Sequence, residues 1–143
     1  MKILICGLPG SGKSTLAEPF ADLIGGVWIN ADKVREKYND WDFTPEGRIR
    51  QAQRMKHLAD GICMADKIAV ADFVCPTKEA REEFGADYIV WMDTIKEGRF
   101  EDTNKMFQPL EKGEYNYHVA AWFQDTHAQL VEVVKNYVNK TER

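Results

Sequence analysis

Five short apolar runs, Lys2–Cys6, Val27–Asn30, Lys67–Asp72, Tyr88–Met92 and Tyr115–Ala120, alternate with longer stretches whose apolar positions recur at helical spacing. The runs predict strands, and the stretches predict helices over Lys13–Ile24, Ala31–Tyr38, Pro45–Ala65, Thr77–Phe84, Ile95–Phe107 and Trp122–Asn139. Gly25-Gly26 stops the first helix, while Thr44-Pro45 supplies a cap and an initial proline for the third. Alternation of this kind builds βαβ units, so the expected class is α/β: a central, mostly parallel five-stranded sheet flanked by helices in three layers. The last helix carries Leu130, Val131, Val133, Val134, Tyr137 and Val138 on an amphipathic pattern that packing against the sheet explains. Gln108–Glu114, with Pro109 and Gly113, reads as an irregular, mobile connection. In an open sheet ligands lie beyond the carboxyl ends of the strands, so chemistry is expected in the residues that follow each strand.

The turn after the first strand carries the strongest signal. Residues Gly7 to Ser14, Gly-Leu-Pro-Gly-Ser-Gly-Lys-Ser, match G-x-x-x-x-G-K-[ST] between an apolar strand and a helix-forming segment. Glycines let successive backbone N–H groups turn inward around phosphate oxygens, Lys13 reaches the β- and γ-phosphates, and the Ser14 hydroxyl can ligand Mg²⁺. The expected cofactors are ATP and Mg²⁺, with Gly7, Pro9, Gly10, Ser11, Gly12, Lys13, Ser14 and Thr15 forming the nucleotide site and a P-loop kinase fold around it. After the second strand, Asp32 and Arg35 stand one helical turn apart on the side that faces the phosphates. A carboxylate there can accept a hydroxyl proton or organise Mg²⁺, and the arginine can fork onto an anionic group. Asp32 also suits a helix N-cap, a role compatible with facing a ligand.

Composition narrows the class. With 143 residues, 44% hydrophobic, 29% charged and a net charge of −4, the chain fits one domain, 1–143. No apolar stretch approaches the roughly 20 residues of a membrane span, and the first strand starts at once, so neither a signal peptide nor a membrane partner is expected and the expected location is cytoplasmic. Cys6, Cys63 and Cys75 fit no zinc spacing and read as reduced core thiols. His57, His118 and His127 have no partner at metal-ligand spacing and read as structural or surface residues. Mild acidity disfavours a nucleic-acid partner, although Lys33, Arg35, Lys37, Arg48 and Lys78 could line a local basic groove. Of Arg48, Arg50 and Arg54, which cannot all share one helix face, Arg48 is the candidate for the site. Tyr115, Tyr117 and Trp122 read as core or rim packing.

Four motifs taken together, the P-loop, Asn-Ala-Asp-Lys-Val-Arg (30–35), Phe43-Thr44-Pro45-Glu46-Gly47-Arg48, and Ala71-Asp72-Phe73-Val74-Cys75-Pro76 with Lys78 and Arg81, resemble those of adenylylsulfate kinases over the first two thirds of the chain. The resemblance implies that Asp32 takes the proton from a ribose 3′-hydroxyl, that Arg35 and Arg48 bind the phosphosulfate region, and that Phe43 lies against the adenine. It places Gln51, Val74, Cys75 and Pro76 at the substrate, and Arg99 of Glu97-Gly98-Arg99 beside the transferring phosphoryl group. Lys105 is a weaker candidate of the same kind. A small-molecule substrate is implied, and a homodimer, as is common in the family. Departures are Asn30 for Asp, Gly47 for Asp, Cys75 for Ser, Lys78 for Arg, and a different, shorter segment after Asp93-Thr94 in place of the family's lid. The leading expectation is therefore ATP-dependent transfer to adenylylsulfate, with another nucleotide, sugar or polynucleotide hydroxyl, or a catalytically silent nucleotide-binding module, as alternatives.

Overall fold

A computed structural model describes residues 1–122 and 124–141. In chain order the elements are β1 Lys2–Gly7, α1 Lys13–Ile24, β2 Val27–Asn30, α2 Ala31–Tyr38, α3 Pro45–Met64, β3 Ala69–Asp72, α4 Lys78–Phe84, β4 Tyr88–Met92, α5 Glu101–Met106, β5 Tyr117–Val119 and α6 Thr126–Thr141. The strands form one sheet in the order β2-β3-β1-β4-β5, and every neighbouring pair is parallel. The central strand β1 is buried on both faces, as its unbroken apolar run requires. Ile3 and Ile5 face Leu16, Phe20, Leu130 and Val134 of α1 and α6, whereas Leu4 and Cys6 face the opposite layer, with Met55 of α3 and Phe84 of α4. Helices thus cover both faces, in the three layers expected. No helix of the described residues is long and apolar enough to cross a membrane.

Caps explain most boundaries. Thr44 Oγ1 accepts from Gly47 N with Pro45 in the first turn of α3, and Thr77 Oγ1 accepts from Ala80 N at the start of α4. Asn30, not Asp32, is the N-cap of α2: its Oδ1 accepts from Lys33 N at 3.1 Å. The long fifth helix expected over Ile95–Phe107 is confined to six residues. Its upstream part is tied instead to the P-loop, for Thr94 Oγ1 donates to Ser11 O at 2.7 Å and Asn104 holds both N and O of Gly98. A Cβ on Gly98 would come within 3.1 Å of Pro9 O, so this contact replaces helix with an irregular clasp. Likewise α6 begins at Thr126 rather than Trp122, and Phe123 of that expected helix lies outside the described residues. The Trp122 ring reaches over Gly12 instead of joining the helix.

Candidate active site

The P-loop conformation follows from its glycines. A Cβ on Gly7 would come within 2.5 Å of Met92 O, so only glycine lets β1 end against β4. Gly10 and Gly12 sit at φ 88° and 98°, a left-handed region that costs other residues 1 kcal/mol or more, about what a strained backbone position stores. Gly12 caps α1 without any side-chain acceptor, which leaves the first-turn N–H groups to face an anion. Lys13 is the first residue of that helix; its Nζ donates to Leu8 O at 3.0 Å. Burial lowers its pKa, opposed chiefly by the negative charge of Asp72.

Across the sheet edge, α2 and α3 bring a second group of side chains to the same cleft, a space of about 880 Å³. Pro9, Gly10, Gly12, Lys13, Ser14 and Thr15 line one side, and Asp32, Arg35, Phe43, Arg48, Gln51, Val74, Cys75, Pro76 and Arg99 line the other. Of the nucleotide-site residues named from the sequence, Gly7 and Ser11 do not line it: Gly7 serves close packing, and the Ser11 hydroxyl is buried below the loop. Lys105 stands outside the cleft lining and pairs with Glu101 at 3.5 Å on the exposed face of α5.

Two arginines on this side are built around one ring. The guanidinium carbons of Arg35 and Arg48 lie 4.4 and 4.9 Å from the Phe43 centroid. Arg35 also donates to the carbonyls of Asp40 and Asp42, so part of its hydrogen-bonding capacity holds the 39–43 loop. Arg48 is 8% exposed, donates through Nη2 to Thr103 Oγ1 at 2.7 Å, and leaves Nε without a protein partner. Burial, and then repulsion from Arg35, brings its pKa down to about 10. Two cations this close, one with an unspent donor, make a receptor for an anion. Gln51 donates to Ala31 O, and its buried Oε1 has no protein partner. Of the other two arginines of α3, Arg50 pairs with Asp40 and Asp42, and Arg54 pairs with Asp40.

Cys75 occupies a left-handed conformation at φ 45°, and Arg81 holds its turn by donating to Cys75 O, Pro76 O and Gln108 O. Burial pushes the Cys75 thiol well up, so it shapes the cleft wall as a neutral group. Arg99 is exposed at the cleft mouth, in the irregular segment before α5 and not within a helix. His118 packs in parallel against Trp91 and pairs with Asp93 at 2.9 Å, a structural role on the sheet edge.

Among the cleft residues that carried no assignment from the sequence, Asp72, Trp41 and Thr103 bear on the site. Asp72 ends β3 and faces Ser14; its position at a carboxyl strand end beside β1 was the available signal. Trp41, 51% exposed, lines the mouth and had no local signal. Thr103 becomes relevant only through its long-range bond to Arg48.

A match to the adenylylsulphate kinase family covers residues 1–88. A probable adenylyl-sulfate kinase of Aeropyrum pernix is 33% identical over 85 residues, which is 55% of this chain and 46% of that relative, so the chain spans about half the length of the curated protein it matches. Among solved structures, a sugar kinase from Janibacter sp. superposes with a TM-score of 0.71 at 18% identity, covering 96% of this chain and 94% of that one. An APS kinase of Mycobacterium tuberculosis, in complex with AMPPNP and APS, superposes with a TM-score of 0.69 at 16% identity, covering 94% and 96%. These structural likenesses show a shared fold.

Proposed function

The chain belongs to the adenylylsulphate kinase family, and from that premise we propose that it is an ATP-dependent kinase moving the γ-phosphoryl group to an acceptor hydroxyl, with the 3′-hydroxyl of adenylylsulfate as the leading acceptor. The observation that carries this reading is the single cleft joining Lys13 and Ser14 to Asp32 and to the Arg35–Phe43–Arg48 cluster. Nucleotide binding alone does not call for the second half. In this reading P-loop N–H groups and the N-terminus of α1 cradle the phosphates, and Lys13 neutralises charge on the β- and γ-oxygens. Asp32, in the first turn of α2, accepts the acceptor's hydroxyl proton as its oxygen bonds to the γ-phosphorus and the β–γ bridging oxygen leaves with ADP. Arg99, at the mouth, is placed to offset charge on the group in transit. Arg35 and Arg48 fix an anionic part of the acceptor, and the exposed part of Phe43 offers a surface for a flat ring.

Mg²⁺ supplies charge neutralisation and orientation of the triphosphate when bound with it. Ser14 would hold it, and the fit is good: Ser14 Oγ stands 3.3 and 3.4 Å from the two oxygens of the buried Asp72 carboxylate. The direct test is ADP release with and without adenylylsulfate, compared with Asp32→Asn.

A further inference from the structure

The segment between β4 and α5 is pinned to the P-loop at two points, and Asn104 closes the second of them. At the first, Thr94 Oγ1 donates to Ser11 O at 2.7 Å. At the second, Gly98 packs so close to the loop that an added Cβ would stand 3.1 Å from Pro9 O and 3.5 Å from Pro9 Cδ. Asn104, half-buried on α5, reaches back to this glycine: its Oδ1 accepts from Gly98 N at 2.7 Å, and its Nδ2 donates to Gly98 O at 2.9 Å. Both polar ends of one side-chain amide are thus spent on one residue, whose N–H and C=O an irregular stretch of backbone would otherwise leave without protein partners. Arg99 is the next residue, exposed, and it lines the cleft mouth. An exposed arginine has many rotamers, so the reach of its guanidinium is set by where its backbone is held.

We propose that Asn104 is a positioning residue for phosphoryl transfer: by clasping Gly98 against Pro9 it holds Arg99 in register with the P-loop, at the mouth of the cleft. The inference rests on the phosphoryl-transfer reading above and adds to it the group that fixes its exposed cation. Pro9 belongs to the loop that cradles the phosphates in that reading, so the clasp sets Arg99 in the same frame as the group in transit. The adjacent residue, Thr103, accepts from Arg48 at 2.7 Å, so the first turn of α5 is anchored to the acceptor side as well. The amide is needed whole. A carboxylate at position 104 would keep the bond from Gly98 N but set an oxygen against Gly98 O, whereas an aliphatic side chain would make neither bond. Charge stabilisation depends on such placement, since a shift of about 1 Å can cost about 100-fold in rate.

The test is a double-mutant cycle of Asn104→Leu and Arg99→Ala in the full chain, read by steady-state ADP formation with ATP and acceptor varied separately, and with thermal melts to establish folding. The acceptor is adenylylsulfate or, where that gives no turnover, whichever of a panel of nucleotide, sugar and polynucleotide hydroxyls does. Asn104→Leu, which keeps the side chain's approximate size and removes both hydrogen bonds, is expected to lower kcat by about tenfold or more with both KM values little changed. In the Arg99→Ala background the same substitution is expected to change kcat by less than about twofold, because the group it positions is gone. A residue that merely supports the fold would cost the same in either background. Should Asn104→Leu not fold, Asn104→Asp takes its place in the cycle with the same pattern expected. An undiminished kcat in either single variant, or an equal loss with and without Arg99, overturns the assignment and leaves the kinase reading standing. Wild-type protein that binds ATP and forms no ADP on any of these acceptors overturns both.

Discussion

Arg48 on α3 donates to Thr103 on α5 through a 2.7 Å hydrogen bond, which ties the acceptor-side cation to the segment that carries Arg99. Charge-assisted bonds of this kind contribute about 1.5–3 kcal/mol. Arg48→Ala is therefore expected to raise the acceptor KM by roughly 100-fold with the ATP KM nearly unchanged, and Thr103→Val by about tenfold, because it frees the guanidinium without removing it. Steady-state kinetics with acceptor and ATP varied separately measure both.

Gly47 is required by the loop packed above it. A Cβ there would come within 2.2 Å of Asp42 O, and the rigid Asp40–Asp42 loop has little room to retreat. Gly47→Ala should destabilise the fold by about 1–3 kcal/mol. Gly61→Ala, in the same helix with nothing within 4 Å of the added atom, should stabilise it by about 0.5–1 kcal/mol. Opposite shifts in Tm are the readout.

The same loop predicts a pH dependence. Hydrogen bonds from Arg50 and then Arg54 hold the Asp40 carboxyl far below the usual range, and bonds with Thr44, followed by Arg50, depress Asp42. For groups depressed in the folded state, the stabilisation is complete above the unfolded pKa near 4 and is lost as pH falls through the folded value. Stability should decline below about pH 4, and Arg50→Gln with Arg54→Gln should flatten that decline. Asp72 works in the opposite direction, since burial raises its pKa and its contribution falls as pH rises from 4. Thermal melts of wild type and this double variant between about pH 2 and pH 6 separate the loop's share.

Arg99 is exposed at the mouth, so its replacement should leave folding intact. Arg99→Ala is expected to lower kcat by about 100-fold with little change in either KM, the pattern of a charge used only in the transition state. An effect confined to KM would move it to a binding role.

Strand and helix positions in the first two thirds were readable because local and tertiary preferences agree there. Thr44-Pro45 and Gly25 stop or start helices by their own chemistry, and β1 reads as an unbroken apolar run because both of its faces are covered. Past Asp93 they disagree. Residues 95–100 carry a helical pattern, yet Gly98 and Thr94 are committed to Pro9 and Ser11, contacts about 85 residues away in sequence that no periodicity encodes. Site residues divide the same way. Lys13, Ser14 and Asp32 lie in motifs whose spacing expresses their geometry, whereas Asp72 draws meaning from the register of β2 against β3, and Thr103 from one bond across the cleft.

The most direct measurement is ADP formation by the full chain with Mg²⁺–ATP, in the presence and absence of adenylylsulfate, for wild type and Asp32→Asn. The account predicts acceptor-dependent turnover that falls by about 10²–10⁴-fold in the variant while ATP binding persists. Acceptor-dependent turnover undiminished in Asp32→Asn would contradict the assignment of the base. ATP binding with no release of ADP on adenylylsulfate or on a panel of nucleotide, sugar and polynucleotide hydroxyls would contradict the kinase reading itself.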